Sequence, residues 1–399
     1  MGNRVRVVHI INSFEHGGAE AMLCNLLLRT DRERFEPHVV SLIDDLRTAG
    51  PVRDAGIPLH VVGLKPGIPD PVKFVGLWRH LRRLKPDVVQ TWMDHSNLIG
   101  GLAARFVRGA RVVWGIHHSN HLPGLTKGTT LLTVDACAKL SRGVPSKIIC
   151  CSEHARNLYA ARGFANGKLI VIPNGFNTDL FRPDPDAPAS IRAELGIAPD
   201  TLLIGLVARY DPFKDHANFV HAAGLLHKEF PHVHFLLCGN KIDPENAELM
   251  AQIQSAGVES VCHLLGPRRD VPKIHASLDI LASSSVSEAF PLTVGEAMAC
   301  GTPCVATDVG DSALMIGDTG KIVPASNSPA LAVGWAALLR MDASERVRLG
   351  TAARRRVREL FDLTSVTRRY EAVYHELAGT VSPADALESP EIVSAVSMN

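Results

Sequence analysis

Several features that mark other protein classes are scarce in this chain of 399 residues. Aromatic residues make up only 5% of the sequence, whereas small and aliphatic residues abound, which favours parallel sheets covered by helices over sandwiches or barrels. The 42 basic and 41 acidic residues leave a net charge of +1, so the chain lacks a global field for holding nucleic acid. No apolar run approaches the roughly 20 residues that a membrane helix needs. The composition therefore predicts an α/β protein that binds no nucleic acid.

Cysteine pairs with the spacing of a metal site are also missing. The eight cysteines lie mostly inside apolar runs and include no C-x-x-C pair, so we expect buried, reduced thiols and no bound metal. The first residues lead directly into a predicted strand, which leaves no room for the apolar region of a signal peptide. We therefore expect a cytoplasmic protein, with peripheral contact at the inner face of a membrane as an open alternative.

The sequence pattern predicts two Rossmann-like domains in tandem, because short β-branched runs alternate with amphipathic stretches in two separate series. In the first series we predict strands at Val5–Ile11, Pro37–Leu42, Leu59–Val62, Val88–Thr91, Arg111–Ile116, Lys147–Cys151 and Leu169–Ile172, and helices at Gly18–Leu28, Val72–Leu84 and Ser152–Ala161. The second series begins at the predicted strand Thr201–Arg209 and continues to the strand Lys321–Val323. Between the two series, three prolines predict an irregular stretch before a short helix at Ile191–Leu195.

Two loops that follow predicted strands carry glycine or positive charge. Gly17 and Gly18 open a helix, so their backbone N–H groups can approach an anion at its N-terminus. The spacing matches neither a dinucleotide fingerprint nor a P-loop, and a tight turn is an equal alternative. Arg209 and Lys214 follow the first strand of the second series, where open α/β sheets bind ligands, and can together neutralise a diphosphate. Ordinary surface charges are the alternative for this pair.

The most specific motif is Glu288-Ala-Phe-Pro-Leu-Thr-Val-Gly-Glu296, in which a loop with proline and glycine separates two carboxylates. The loop leads into a predicted helix, and the N–H groups of Leu292, Thr293 and Val294 at its positive end suit a phosphate. We place Glu296 in the first helical turn, where it can accept hydrogen bonds from ribose hydroxyls, and Glu288 beside the sugar. Helix capping alone is the alternative, but it does not explain the proline and glycine together.

Together these motifs resemble the retaining glycosyltransferases of family four, in the expected order over roughly Val5 to Leu377. The resemblance implies a GT-B fold, with two Rossmann-like domains facing each other across a cleft. It implies a mainly acceptor-binding domain at residues 1–175, a mainly donor-binding domain at 176–362 and a helix at 363–378 that returns to the N-terminal domain. Residues 379–399 are rich in Ser, Pro and Ala and are predicted to be disordered.

The resemblance also implies roles for individual residues. Arg209 and Lys214 would contact the diphosphate of a nucleoside-diphosphate sugar, Glu288 the sugar hydroxyls and Glu296 the ribose. His117 matches the family histidine that approaches the donor sugar, although its neighbour His118 can claim that role and a structural histidine is the plain alternative. The implied catalytic set is His117, Arg209, Lys214 and Glu288, and the implied donor-binding set is Gly17, Gly18, Arg209, Lys214, Glu288, Phe290, Pro291, Leu292, Thr293, Val294 and Glu296.

What the resemblance implies about the reaction is a retaining, metal-independent transfer by front-face attack, with the nucleotide sugar as donor substrate and no cofactor. The acceptor would be a saccharide or a lipid-linked saccharide, in polysaccharide or glycoconjugate assembly. Asp311 stands where many relatives have a second glycine, which leaves the base and sugar preference open. A non-catalytic nucleotide-sugar-binding partner subunit, a GT-B epimerase and a phosphorylase are the alternative functions.

Two segments are strongly basic. Phe74 to Lys85 predicts an amphipathic helix with Arg79, Arg82 and Arg83 on one face, which suits either a membrane surface near a lipid-linked acceptor or a solvated face. The run from Arg354 to Arg358 has the same two interpretations.

Overall fold

The computed structural model describes residues 4–15, 17–65, 67–118 and 126–380. Within them the chain divides into two units, each built on one parallel sheet. The first unit runs to Gly175 and resumes at Leu363, and the second comprises Phe176–Asp362. The predicted α/β class is therefore confirmed, and the predicted tail beyond residue 380 lies outside the described residues.

The described part of the first unit contains seven parallel strands in the order β3-β2-β1-β4-β5-β6-β7. They are β1 Val5–Ile11, β2 Phe35–Ser41, β3 Leu59–Val61, β4 Val88–Trp92, β5 Arg111–Ile116, β6 Lys147–Cys150 and β7 Leu169–Val171. β1 is central, since it pairs in register with β2 on one side and with β4 on the other. The strand order changes direction between β1 and β4, which is where doubly wound sheets bind ligands.

Helices connect these strands and cover both faces of the sheet. They are α1 Gly18–Arg29, α2 Gly50–Asp54, α3 Pro71–Leu84, α4 Asp94–Arg105, α5 Gly128–Leu140 and α6 Glu153–Ala161. α3 has well-formed ends, because the Asp70 side chain accepts a hydrogen bond from the Lys73 N–H and Lys85 adopts the left-handed conformation. The hydrophobic residues on the two faces of the sheet form separate buried clusters.

The described residues of the second unit form six parallel strands in the order β10-β9-β8-β11-β12-β13. They are β8 Leu203–Val207, β9 His234–Cys238, β10 Cys262–Leu264, β11 Ile280–Ser283, β12 Cys304–Thr307 and β13 Gly320–Val323. The helices are α7 Ala187–Leu195, α8 His216–His227, α9 Ala247–Ala256, α10 Val271–Ser277, α11 Leu292–Ala299, α12 Ser312–Ile316, α13 Ser328–Leu339 and α14 Ala343–Leu360. Here the strand order changes direction between β8 and β11.

The last helix, α15 Leu363–Ala378, belongs to the first unit although it follows the second in sequence. It packs on that unit through Val366, Tyr370 and Tyr374, which lie in the same buried cluster as residues of β1 and α1. Close packing is clearest at Gly175, where an added Cβ would lie 2.8 Å from the Leu363 Cα. The start of α15 therefore requires glycine at the end of the first segment.

Two local predictions need correction. The helix predicted from Ile191 begins at Ala187, because Pro188 sits in its first turn, where the missing N–H has no intrahelical acceptor in any case. α4 and α5 occupy segments for which the sequence predicted no helix. The cysteines behave as expected, since all eight are free and all but the partly exposed Cys262 are buried. No described helix combines the length and apolar character needed to cross a bilayer.

Candidate active site

The loops that follow β8 and β11 meet at the carboxyl edge of the second sheet, where the strand order reverses. Hydrogen bonds tie them together: the Val286 N–H donates to the Phe213 carbonyl at 2.9 Å, and the Ser284 hydroxyl donates to the Lys214 carbonyl at 2.8 Å. The segments predicted to hold the diphosphate and the sugar therefore form one connected structure.

Lys214 and Glu288 form the ion pair at the centre of this edge. Lys214 ends the 3₁₀ turn Pro212–Lys214, and its ammonium donates to Glu288 Oε1, which also accepts a hydrogen bond from the Ser285 hydroxyl at 2.7 Å. Only 22% of the lysine side chain and 12% of the glutamate side chain are exposed. Because partial burial weakens solvent screening, this pair is held more firmly than an exposed one.

Arg209 reaches the same edge but pairs with a neighbour instead. Its Nε donates to Asp211 Oδ2 at 3.0 Å, and half of its side chain is exposed. Burial alone would raise the pKa of Asp211, but the Phe213 N–H and the Arg209 guanidinium together hold that pKa below its usual value. The carboxylate therefore stays ionised and steers Arg209 along the loop, while enough of the guanidinium remains in solvent to meet an anion.

The loop from Phe290 leads into α11 as the sequence predicts. Pro291 is the N-cap and provides no side-chain cap, so the amides of the first turn depend on other acceptors. The Val294 N–H donates to the Pro291 carbonyl at 3.1 Å, so a phosphate bound there would compete with this hydrogen bond. Leu292 and Thr293 keep the predicted position at the helix end, and the buried Thr293 hydroxyl has no hydrogen-bond partner among the described residues.

Glu296 lies one turn further into α11 than predicted. Because the helix begins at Leu292, Glu296 is in its second turn, where helix-end capping cannot explain the carboxylate. Its Oε2 lies 3.4 Å from Nε2 of His275, a fully buried side chain on α10. The carboxylate is itself partly exposed, so it has a fixed buried neighbour and a face that a ligand can reach.

The turn after β12 packs on the Glu288 loop. Gly310 has a φ of 57°, and an added Cβ would lie 2.4 Å from the Glu288 carbonyl oxygen, so only glycine fits there. The next residue, Asp311, is buried, and its N–H donates to the Ala289 carbonyl at 3.3 Å. The residue that departs from the family pattern is therefore next to the predicted sugar-binding turn.

The remaining predicted residues lie in the first unit. Gly17 is the N-cap of α1 and Gly18 its first residue, at the carboxyl end of β1. The Glu20 carboxylate folds back over Gly17. An added Cβ on Gly17 would lie only 2.3 Å from Glu20 Oε2. A phosphate can approach this helix end only if Glu20 turns away. His117 follows β5, two strands from β1 along the same edge.

His117 is partly exposed, but both of its ring nitrogens are buried. Neither nitrogen makes a hydrogen bond of normal geometry within the described residues. Burial lowers the pKa of His117 to about 4; the nearby Asn174 amide opposes part of this shift, and His118 adds to it. At neutral pH the ring is therefore uncharged, with one nitrogen available to donate and the other to accept.

Sequence reasoning missed two buried groups beside these residues. Trp92, the last residue of β4, stacks on His117 with ring centroids 4.8 Å apart. Asp94, the first residue of α4, is almost fully buried, and its carboxylate accepts a hydrogen bond from the Tyr159 hydroxyl at 3.1 Å. Burial raises the pKa of Asp94 to about 6. In the sequence, the feature that could have pointed to Trp92 and Asp94 was their position at the end of a predicted strand, where ligand-binding residues also occur.

The two basic segments differ in what their arginines contact. Arg354 donates to the Ala299 carbonyl at the end of α11, and to the Thr178 and Phe181 carbonyls. Arg356 donates to the Leu314 and Met315 carbonyls. The run on α14 is therefore partly structural, because two of its side chains satisfy helix-end carbonyl groups.

The outward face of α3 has a different character. Val72 is 81% exposed, Val75 lies one turn further along, and Arg79 and Arg83 continue the same exposed stripe. Apolar residues at one end and cations at the other form a continuous exposed surface on this helix.

Tandem Rossmann-like units, a last helix that returns to the first unit and charged loops at the point where the sheet order reverses define the GT-B class of fold. Structures with this fold match nearly the whole chain. Anabaena Alr3699/HepE, whose crystal structure is a complex with UDP, matches with a TM-score of 0.82 and 22% identity over 93% of this chain and 100% of its own. Sucrose-phosphate synthase from Thermosynechococcus elongatus matches with a TM-score of 0.80 and 20% identity over 95% of this chain and 100% of its own.

Sequence comparison agrees with the fold. The family model described as Glycosyltransferase Family 4 matches residues 16–180, and the one described as Glycosyl transferases group 1 matches residues 189–356. The chain therefore belongs to the family-four glycosyltransferases. Among its relatives, EpsF of Bacillus subtilis is 25% identical over 76% of this chain and 79% of its own length.

The D-inositol 3-phosphate glycosyltransferase of Nocardia farcinica is 31% identical over 52% of this chain. The match spans 49% of the relative, and about half the length of similarly named relatives from other actinobacteria.

Proposed function

We propose that this protein transfers a sugar from a nucleoside-diphosphate sugar to an acceptor hydroxyl, with retention of anomeric configuration and without a bound metal. The observation that carries the proposal is the partly buried pair of Lys214 and Glu288 beside the start of α11. It supports the proposal because a cation, a carboxylate and helix-end amides lie together at the carboxyl edge of one sheet, where open α/β sheets bind ligands.

The proposed chemistry follows from these charges. When the bond between the anomeric carbon and the phosphate oxygen breaks, negative charge develops on the departing diphosphate. Lys214, Arg209 and the first N–H groups of α11 would stabilise that charge, as a metal does in other transferases. The acceptor oxygen would bond to the anomeric carbon from the same side, and its proton would pass to the departing phosphate oxygen. The protein then mainly positions the two substrates.

Glu288 and Glu296 would hold the donor at its two ends. Ser285 would still donate to Glu288 when Lys214 turns to the diphosphate, and a carboxylate has enough lone pairs to accept from a sugar hydroxyl as well. Glu296, steadied by His275, would accept from the ribose. In this proposal His117 of the first unit, neutral at pH 7, approaches the sugar from the acceptor side. The acceptor would be a saccharide or a lipid-linked saccharide in polysaccharide or glycoconjugate assembly.

The first experiment is a thermal-shift screen of nucleoside-diphosphate sugars, because a ligand that binds only the folded state raises the melting temperature. UDP and UDP-glucose are the first candidates, since both occur in complexes of HepE. The donor that binds is then incubated with saccharide acceptors, and NMR of the product gives the anomeric configuration. Retention with undiminished activity after chelator treatment is expected. An inverted product would overturn the retaining mechanism, and binding without turnover would favour a non-catalytic partner subunit.

Site variants test the residue assignments. Lys214→Ala and Glu296→Ala are each expected to lower kcat by about 100-fold or more while the protein stays folded. Matched controls are Lys321→Ala, on the exposed side of β13, and Glu229→Ala, an exposed carboxylate paired with Arg340. The assignment fails if the site variants are as active as their controls.

A further inference from the structure

Trp92 is the centre of a group of stacked rings in the first unit. It is fully buried at the end of β4, and its indole is nearly parallel to the His117 imidazole, with centroids 4.8 Å apart and an angle of 19° between the planes. Tyr370 of α15 is also nearly parallel to the indole, at 6.0 Å and 16°. Residues from three distant parts of the sequence therefore meet at one ring.

A hydrogen bond fixes the rotation of the indole in its plane. Trp92 Nε1–H donates to Nδ1 of His9, in β1, at 3.3 Å. His9 is 1% exposed, and burial lowers its pKa to about 3, so the ring is neutral and can accept at Nδ1. Because Nδ1 accepts, the proton of His9 is on Nε2. The edge of His9 also packs on Tyr374, one turn after Tyr370 in α15.

His117 lacks the usual means of orientation. A functional histidine is normally aligned by a hydrogen bond to one ring nitrogen, which also fixes its tautomer. Both nitrogens of His117 are buried, and neither has a hydrogen-bond partner of normal geometry within the described residues, although the Asn174 side chain lies near the ring. The face of Trp92 is the contact that runs parallel to the plane of this imidazole, so we take it as the one that sets the plane.

We propose that Trp92 is a positioning residue for His117, held in place by His9 and supported by Tyr370 of the last helix. The proposal rests on the proposed function, in which His117 approaches the donor sugar. It gives α15 a role in the reaction, because this helix supplies Tyr370 and Tyr374 to the ring group. A tilt of the indole would tilt the imidazole, and small misplacements of a reacting group can reduce turnover strongly.

The test is a graded series at position 92 in the full chain, assayed with the donor found above. Trp92→Phe keeps an aromatic face but loses the N–H, and Trp92→Leu loses both. We expect kcat to fall by about 10-fold and about 100-fold respectively, with the donor KM unchanged within about 2-fold. The matched control is Trp114→Phe, since Trp114 is equally buried in the neighbouring strand β5 and packs on Phe164. This control is expected to keep kcat within about 2-fold.

A second measurement separates positioning from general damage to the core. Circular dichroism and the melting temperature show whether each variant folds. If Trp92→Leu does not fold, the kcat of Trp92→Phe alone tests the proposal. NMR titration of His117 should show a changed chemical shift and a pKa closer to the ordinary value when the aromatic face is lost and water gains access. If kcat falls equally in the Trp92 and Trp114 variants, or if the His117 signal is unmoved, Trp92 is only a core residue.

His117→Ala distinguishes the two proposals. If this variant is inactive while Trp92→Leu keeps its kcat, the positioning proposal fails and the proposed function stands. If His117→Ala is fully active, there is no reacting group to position, and both the role of His117 and that of Trp92 are overturned. If His117→Ala is inactive and kcat falls stepwise from Trp92→Phe to Trp92→Leu, the result supports both the role of His117 and that of Trp92.

Discussion

Replacing Gly295 by alanine would test how closely α11 is packed. Gly295 is in α11, and an added Cβ would lie 2.0 Å from Cζ of Phe176 and 2.3 Å from Cε2 of the same ring. Carbon atoms pack at about 3.5–4.0 Å, so the ring would have to move by about 1.5 Å. Phe176 is 2% exposed and packs on Phe290 and Phe361, which leaves it little room.

The expected magnitude follows from two opposing effects. Overpacking of a well-filled core costs about 1–3 kcal/mol, while alanine in a helix interior is favoured over glycine by about 1 kcal/mol. We therefore expect Gly295→Ala to lower the free energy of unfolding by up to about 2 kcal/mol. A shift of Phe176 would also displace Phe290, which immediately precedes the N-cap of α11, so we expect the affinity for the donor found in the thermal-shift screen to fall by about 10-fold, or 1.4 kcal/mol.

The matched control is Gly76→Ala. Gly76 is also a helix-interior glycine, but it is exposed on α3, and no atom lies within 4 Å of its added Cβ. This variant should be more stable by about 0.5–1 kcal/mol, with the affinity for the same donor unchanged. Urea midpoints by circular dichroism compare the variants, since two units need not unfold in a single transition. A Gly295→Ala midpoint above the parent would refute the packing argument, and a lower midpoint with unchanged donor affinity would refute the link to Phe290.

Two further predictions concern the first unit. Burial raises the pKa of Asp94 to about 6 against 3.8 when exposed, so the stability that this group contributes is present below about pH 4 and is lost as pH rises through 6, a change of about 3 kcal/mol. Asp94→Asn should therefore gain stability relative to the parent between pH 4 and 7 in urea titrations, and a difference that is constant with pH would contradict this. On α3, Arg79→Ala combined with Arg83→Ala should weaken binding to anionic vesicles by about 30-fold at low salt, at about 1 kcal/mol per cation. Cosedimentation measures the binding to vesicles, with neutral vesicles as the control. Equal binding of the parent and the double variant to anionic vesicles would show that this face of α3 only contacts solvent.

Much of the secondary structure was readable from the sequence. The strands Val5–Ile11 and Arg111–Ile116 have the predicted bounds, because buried parallel strands are continuous β-branched and aliphatic runs. α4 was missed because Gly100 and Gly101 look like helix breakers. In the structure these glycines let the helix approach the sheet: an added Cβ on Gly101 would lie 2.4 Å from Trp114 Nε1. Such a contact depends on the neighbouring strand, so a local pattern cannot show it.

The candidate site divides in the same way. The residue types of the Glu288 to Glu296 motif, and the place of Arg209 and Lys214 after a strand, could be found in the sequence because motif spacing and strand ends are local properties. The hydrogen-bond partners of these residues could not be found in the sequence. Arg209 donates to Asp211, and the Val294 N–H donates to the Pro291 carbonyl, only once the loops adopt their conformations.

The sequence by itself determined the family and the α/β class, and it predicts which charged residues a sugar diphosphate would meet, because each depends on short stretches of chain. Only the tertiary structure decided that Lys214 pairs with Glu288, 74 residues away, and that Trp92 stacks on both His117 and Tyr370. The physical reason is the order of the strands and the return of α15 to the first sheet. These bring together side chains whose separation along the chain says nothing about their distance in space.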